Sequence, residues 1–183
     1  NYPKGIAVDK YDNIYVADSW NHRVQKFDLL GNHIETFGSY GEGEGELNEP
    51  YDIMVEDCGN ILVVERYNHR IQWFSPEGKS LGWIGQRGTV LEEHLAYLYE
   101  TSANLFSTPA FEFPTSIGTD SLGNYFITDS GNHRIAKFNK NWRRVLTFGE
   151  RGEETGQFQY PLCVSIGRND LLYVSDLNNN RIQ

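Results

Sequence analysis

Four times along 183 residues the chain returns to one short pattern: Asn21-His22-Arg23-Val24, Asn68-His69-Arg70-Ile71, Asn132-His133-Arg134-Ile135 and Asn179-Asn180-Arg181-Ile182. The arginines are 47, 64 and 47 residues apart, and so are the prolines that open each unit, Pro3, Pro50, Pro114 and Pro161. A signature recurring at 40 to 50 residues marks one supersecondary unit used repeatedly, each burying its apolar surface against its neighbours. Whatever fold this chain takes must be built from that unit.

The interior of the unit is legible. After the proline comes a short strand, Gly5–Asp9 in the first copy and Asp52–Glu56 in the second. A turn of Asp, Gly and Asn follows (Tyr11-Asp12-Asn13, Cys58-Gly59-Asn60, Leu122-Gly123-Asn124, Asn169-Asp170), residues that accept positive φ or bond their own backbone. The second strand is β-branched and aromatic: Ile14–Asp18, Ile61–Glu65, Tyr125–Asp129, Leu172–Asp176. The Asn-His-Arg stretch starts a third strand, Arg23–Phe27, whose polar and apolar residues alternate at period two. A glycine turn leads to a fourth, Ile34–Phe37 or Val145–Phe148. Four antiparallel strands per unit of about 45 residues predict a propeller blade, so the fold class is all-β.

The run Pro-x-Gly-Ile-x-Val-Asp, Asn-Ile-Tyr-Val-Ala-Asp, Asn-His-Arg-Val-Gln-x-Phe and Phe-Gly in the first copy resembles the NHL repeat family. The resemblance implies an NHL β-propeller, a fold usually six-bladed, and it covers the chain apart from one insertion. Repeats are placed at about 1–48, 49–112, 113–159 and 160–183. The last stops before its fourth strand, so the expectation is an arc of a larger propeller, or one part of a multi-chain ring or larger assembly that closes the open edge.

The second link is 17 residues longer than its counterparts. Thr89 with Glu92 fits a capping box, and Leu91, Leu95 and Leu98 repeat at helical spacing, which predicts a helical insertion within about 89–110. In an up-and-down blade the loops after strands two and four emerge on one face. That face would therefore carry the insertion and the turns Asp18-Ser19-Trp20, Glu65-Arg66-Tyr67, Asp129-Ser130-Gly131 and Asp176-Leu177-Asn178. Trp20, Arg66, Tyr67, Tyr97 and Tyr99, with His94, are the candidate binding residues, being of types enriched at interfaces. Sealing of the surface between blades is the alternative role for the insertion. The same links carry glutamates, Glu42, Glu44, Glu46, Glu49, Glu92, Glu93, Glu150, Glu153 and Glu154, whose Gly-spaced arrangement lacks calcium-loop spacing and reads first as solvated loop.

His22, His69 and His133 invite a metal reading, but they hold one repeated position and are more simply explained by the fold. The recurring acids Asp18, Glu65, Asp129 and Asp176 are expected to pair with Arg23, Arg70, Arg134 and Arg181, since a guanidinium suits bidentate carboxylate contact. No metal ligand set, catalytic residue or cofactor is assigned; no nucleophile elbow or P-loop is present. The net charge is −9 and Arg143-Arg144 is the only basic doublet noted. The TRIM-NHL proteins of the resembled family bind RNA on a basic face, so no nucleic-acid partner is expected here. No apolar run approaches a membrane span, and no basic-then-apolar leader opens the chain. Cys58 and Cys163 are expected to be free, partly buried thiols. The leading expectation is a non-catalytic module that presents a loop-rich face to a protein or peptide. The alternatives are a channel-site, metal-dependent lyase or hydrolase of the propeller class, as the peptide-amidating lyase is, and a structural subunit of a larger assembly.

Overall fold

A computed structural model describes residues 1–85 and 111–183. The predicted helix, and with it His94, Tyr97 and Tyr99, lies outside the described residues. The first blade comprises β1 (Pro3–Val8), β2 (Ile14–Asp18), β3 (Arg23–Phe27) and β4 (His33–Phe37); the second, β5 (Pro50–Val55), β6 (Ile61–Glu65), β7 (Arg70–Phe74) and β8 (Ser80–Gly85). The third comprises β9 (Pro114–Thr119), β10 (Tyr125–Asp129), β11 (Arg134–Phe138) and β12 (Arg144–Phe148); the fourth sheet holds β13 (Pro161–Ile166), β14 (Leu172–Asp176) and β15 (Arg181–Ile182). Every sheet runs in chain order with antiparallel neighbours, four strands in each of the first three and three in the last. The fold is an all-β propeller.

The first strands β1, β5, β9 and β13 pack on one another in sequence, which places them at the axis. The outermost strand of the third blade, β12, is exposed along its whole length. β6 shows how the pleat makes cores. Ile61 and Val63 face the first blade with Phe74, against Tyr15, Ala17, Val24 and Leu47. Leu62 and Val64 point the other way, to Phe111, Ile117, Ile127 and Phe138 of the third blade. Successive side chains leave a strand on opposite faces, so a strand between two blades must be apolar at consecutive positions, as β6 is. A third seam joins Phe126, Ile135 and Phe158 to Val164 and Val174.

The first strand begins at the proline and ends one residue earlier than the sequence reading placed it. Asp9 is instead the anchor of the β1–β2 turn, accepting the N–H groups of Tyr11 (2.8 Å) and Asn13 (2.9 Å) and the Asn13 side chain (2.8 Å). Asp120 accepts the equivalent three bonds from Leu122 and Asn124, and Asp28 does so for the β3–β4 turn from Leu30 and Asn32. The Asp9 backbone closes the same turn, its N–H bonding the Asn13 carbonyl (3.0 Å) and its carbonyl accepting the Asp12 N–H (3.1 Å).

Candidate functional site

The Asn-His-Arg signature follows β2 and its equivalents through a single 3₁₀ turn, Ser19–Asn21, Ser130–Asn132 and Leu177–Asn179 in blades one, three and four. The residue after it is left-handed, with φ of 53° at His22, 53° at His69, 56° at His133 and 50° at Asn180. His and Asn are among the residues that tolerate that region.

Each residue of the signature has its own task. The asparagine amides donate to the acid that ends the second strand: Asn68 to Glu65 at 2.6 Å, Asn132 to Asp129 at 2.9 Å, Asn179 to Asp176 at 2.8 Å. The arginine Nε donates to the same acid, at 2.8 Å for Arg23 and Asp18, 2.5 Å for Arg70 and Glu65, 2.8 Å for Arg134 and Asp129, and 2.9 Å for Arg181 and Asp176. The acid also accepts a backbone N–H from two residues before the blade's proline, that of Asn48, Glu112 or Gln159; in the first blade the amino group of Asn1 takes this place. All four acids are buried. Burial pushes the Glu65 and Asp129 carboxyls up against the pull of their arginines. At Asp176 the bonds from Gln159, Asn179 and Arg181 outweigh burial and hold the carboxyl low.

Arg70 reaches further than its acid. Its terminal nitrogens donate to the carbonyls of Glu42 (2.8 Å), Gly43 (3.0 Å) and Glu46 (2.8 Å) in the preceding link. Arg181 repeats this on Glu153, Glu154 and Gln157. Gln72 and Gln183 add bonds to Glu46 and Gln157. The links therefore turn their carbonyls inward to a guanidinium, while Glu44, Glu150, Glu153 and Glu154 are exposed. These link contacts go beyond the expected acid–arginine pair; their trace in the sequence is the Arg-x-Gln spacing shared by Arg23/Gln25, Arg70/Gln72 and Arg181/Gln183.

The histidines join blades. Nδ1 of His22 accepts the N–H of Glu49 (3.1 Å), that of His69 the N–H of Phe113 (3.2 Å), and that of His133 the N–H of Tyr160 (3.1 Å). Each acceptor lies one blade earlier than its donor, and each donor is the residue before a proline, at φ of 48° to 52°. An imidazole accepting through Nδ1 carries its proton on Nε2 and is neutral. Burial holds the His133 pKa below its ordinary value.

With the signature committed internally, the same face still exposes rings. Trp20 is 54% exposed and stacks on Tyr2, with centroids 4.2 Å apart. Lys4 sits over Tyr2 (5.5 Å) and Tyr51 (4.9 Å). Arg66 lies among Tyr51 (5.4 Å), Tyr67 (5.5 Å) and Phe113 (5.8 Å), with Glu49 at 3.9 Å. The structure thus brings Trp20, Arg66 and Tyr67 onto one strip of rings and cations that crosses the first three blades.

Around the axis the second residue after each proline differs: Gly5, Asp52, Ser116, Cys163. Asp52 accepts the Ser116 hydroxyl (2.8 Å) and the Ile117 N–H (3.0 Å), and the Ser116 oxygen in turn accepts the Val164 N–H (3.3 Å). Cys163 Sγ lies 3.6 Å from that hydroxyl. Burial pushes the Asp52 carboxyl up. Both Cys58 and Cys163 are free and exposed, which corrects the expectation of partly buried thiols: Cys58 is in the β5–β6 turn and Cys163 is on the innermost strand β13. Among the described residues no group of three or more His, Cys, Asp or Glu could hold a metal, and no helix is long and apolar enough to cross a membrane.

The NHL repeat family matches residues 1–27, 111–138 and 158–183, in each case from ahead of the blade's proline into its third strand. NHL repeats thus recur along this β-propeller chain. The matched stretches belong to blades one, three and four, while the second blade repeats their geometry through Glu65, Asn68, His69 and Arg70. Among curated proteins, the chain is 31% identical over 75 residues to a probable peptidyl-alpha-hydroxyglycine alpha-amidating lyase of Caenorhabditis elegans, covering 39% of the chain and 21% of that protein. It is 42% identical over 48 residues to the RING finger protein nhl-1 of the same organism (26% and 5%), and 31% identical over 75 residues to Protein brain tumor of Drosophila melanogaster (40% and 7%). The chain therefore spans about a fifth or less of the curated relatives it matches. Among solved structures, virginiamycin B lyase from Staphylococcus aureus superposes with a TM-score of 0.63 at 14% identity, and a protein of unknown function from Bacteroides thetaiotaomicron with 0.71 at 17%. Each match covers 98% of the chain and about half of the other protein, 50% and 46%. At such identity the likeness is one of fold.

Proposed function

We propose that this chain is a non-catalytic binding module which presents the face carrying Trp20, Arg66 and Tyr67 to a protein or peptide. One observation carries the reading. The repeated histidines, acids and arginines are engaged in holding turns, links and blades together, whereas the Trp20 and Tyr67 rings beside them stay about half exposed to solvent. Blades that fix the surrounding backbone would let those rings act as anchors that lose little freedom on binding.

The test is a peptide-array screen of the purified chain, repeated with the Trp20→Ala/Tyr67→Ala double variant. Peptides that bind the parent chain and are lost on the double variant, at unchanged melting temperature, support the reading. Peptides bound equally by both place recognition elsewhere.

A channel lyase is the second reading, favoured by the sequence likeness to the probable amidating lyase and by the non-repeating Asp52, Ser116 and Cys163 at the axis. Turnover of a peptidyl-α-hydroxyglycine by the chain, with and without added zinc, would decide for it; absence of turnover in both leaves the binding reading in place.

A further inference from the structure

The strip gathers two cations about one ring. Lys4 and Tyr51 are the second residues of the innermost strands β1 and β5, so the strip crosses the mouth of the axis. Lys4 Nζ lies 4.9 Å from the Tyr51 centroid, and the Arg66 guanidinium lies 5.4 Å from it. Neither cation is spent on an acid through a hydrogen bond. Lys4 is exposed and has no ion pair or hydrogen bond among the described residues. Glu49 stands 3.9 Å from Arg66 Nη1, beyond hydrogen-bond reach, and the buried Arg66 Nε has no partner among the described residues. The signature arginines differ: Nε of Arg23, Arg70, Arg134 and Arg181 each lies within 2.9 Å of a buried acid.

Resting on the proposed binding role, we infer that the strip receives an acidic peptide segment, with an Asp or Glu carboxylate taken by Lys4 and Arg66 and apolar or aromatic neighbours laid on the Trp20 and Tyr67 rings. Two positive charges held about one ring repel one another, and a carboxylate arriving there relieves that cost. Contacts with Tyr2, Tyr51, Tyr67 and Phe113 hold the cations in place through ring faces. Such contacts consume no N–H donor, so the terminal nitrogens of Arg66 and the ammonium of Lys4 keep theirs for a carboxylate. Trp20 and Tyr67, 54% and 48% exposed, supply ring area that excludes water around the pair. A basic segment would meet Lys4 and Arg66 and be repelled. A nucleic-acid strand needs a cation for each of many successive phosphates, and the strip offers two. Outward of it, the link that carries the exposed Glu44 is pinned by the Gly45 N–H on Gln72 of β7 (2.9 Å), so a polyanion running that way meets like charge.

The experiment is a fluorescence-anisotropy titration of the full chain with three labelled peptides that share one aromatic framework and carry Glu, Gln or Lys at the same positions, and with a labelled single-stranded RNA. The Glu peptide should bind most tightly and weaken with added salt. The Lys4→Gln/Arg66→Gln double variant should weaken the Glu peptide by about tenfold, to the level of the Gln peptide, and leave the Gln peptide little changed. Lys4→Gln alone, at an exposed side chain, should give part of that loss. Trp20→Ala should weaken the Glu and Gln peptides alike, and all variants should keep the parent melting temperature. If the Gln or Lys peptide binds as well as the Glu peptide in a Trp20-dependent way, the face is a binding face and the acidic partner is wrong. If the RNA binds best, the acidic peptide is likewise overturned. If nothing binds in a Trp20-dependent way, this inference and the binding role fall together.

Discussion

Arg70 and Glu65 meet at 2.5 Å with neither side chain exposed to solvent. The same guanidinium takes three carbonyls of the link between the first two blades and lies 4.5 Å from the Trp83 ring centroid. One side chain therefore joins the second strand, the turn after it, the preceding link and the outermost strand. The planar fork makes this possible, because its nitrogens diverge in fixed directions that a lysine cannot reproduce.

Arg70→Ala should cost about 3–5 kcal/mol, since it leaves a buried carboxylate and three carbonyls without their partner. Arg70→Lys should recover only part of the loss. Urea denaturation of the two variants checks this. Arg23, whose side chain is 38% exposed, should cost clearly less on the same substitution, and equal losses would contradict the assignment.

His69→Ala removes the acceptor for the Phe113 N–H and should cost about 1–3 kcal/mol. His133 adds a pH dependence whose sign follows from its depressed pKa. The unfolded chain binds this proton more readily than the fold, so the stabilisation is full above the ordinary histidine pKa and is lost as pH falls below it. Melting temperatures between about pH 7 and pH 5 should fall more for the parent than for His133→Asn, the residue type the fourth unit already carries at Asn180.

Asp52 carries the opposite sign. Burial raises its carboxyl, so the fold binds that proton more tightly than the unfolded chain. Its contribution is full below the unfolded pKa and declines as pH rises through the folded value. Asp52→Asn, whose amide oxygen can still accept from Ser116 and Ile117, should match or exceed the parent's stability at neutral pH. Asp52→Ala should lose about 1–3 kcal/mol by orphaning both donors. Chemical denaturation at neutral and mildly acidic pH separates the two.

Gly5→Ala tests how closely the first strands approach one another at the axis. A Cβ there would come within 2.6 Å of the Asp52 Cα and 2.8 Å of the Ile53 nitrogen, both backbone atoms that cannot swing aside. A loss of about 1–3 kcal/mol is expected from overpacking. Gly31→Ala, in an open turn with nothing near, should lose less, and only through its positive φ of 82°. Similar losses at both sites would mean that the seam between the first two blades is looser than described.

The order of strands was legible because each has its own local cause: Asp, Gly and Asn turns such as Tyr11-Asp12-Asn13 and Leu122-Gly123-Asn124, apolar runs such as Ile61–Val64, and prolines that open each unit. The acid–arginine pairing was legible too, from the constant five-residue spacing of Asp18 to Arg23 and Glu65 to Arg70. The partners of the histidines were not. His69 and Phe113 are 44 residues apart across the longest link, and nothing in either residue's neighbourhood names the other.

By itself, then, the sequence determined the repeating unit, its strands and turns, and the pairs formed within a blade, since those interactions join residues close along the chain and recur with its period. Only the tertiary structure decided which blade each signature residue serves, that the links turn carbonyls toward Arg70 and Arg181 while their carboxylates face water, and that Trp20, Arg66 and Tyr67 lie along one strip. Those relationships depend on the packing of one blade against the next. Adjacency of that kind is set by three-dimensional closure of the seams, which leaves no periodic trace in the order of residues.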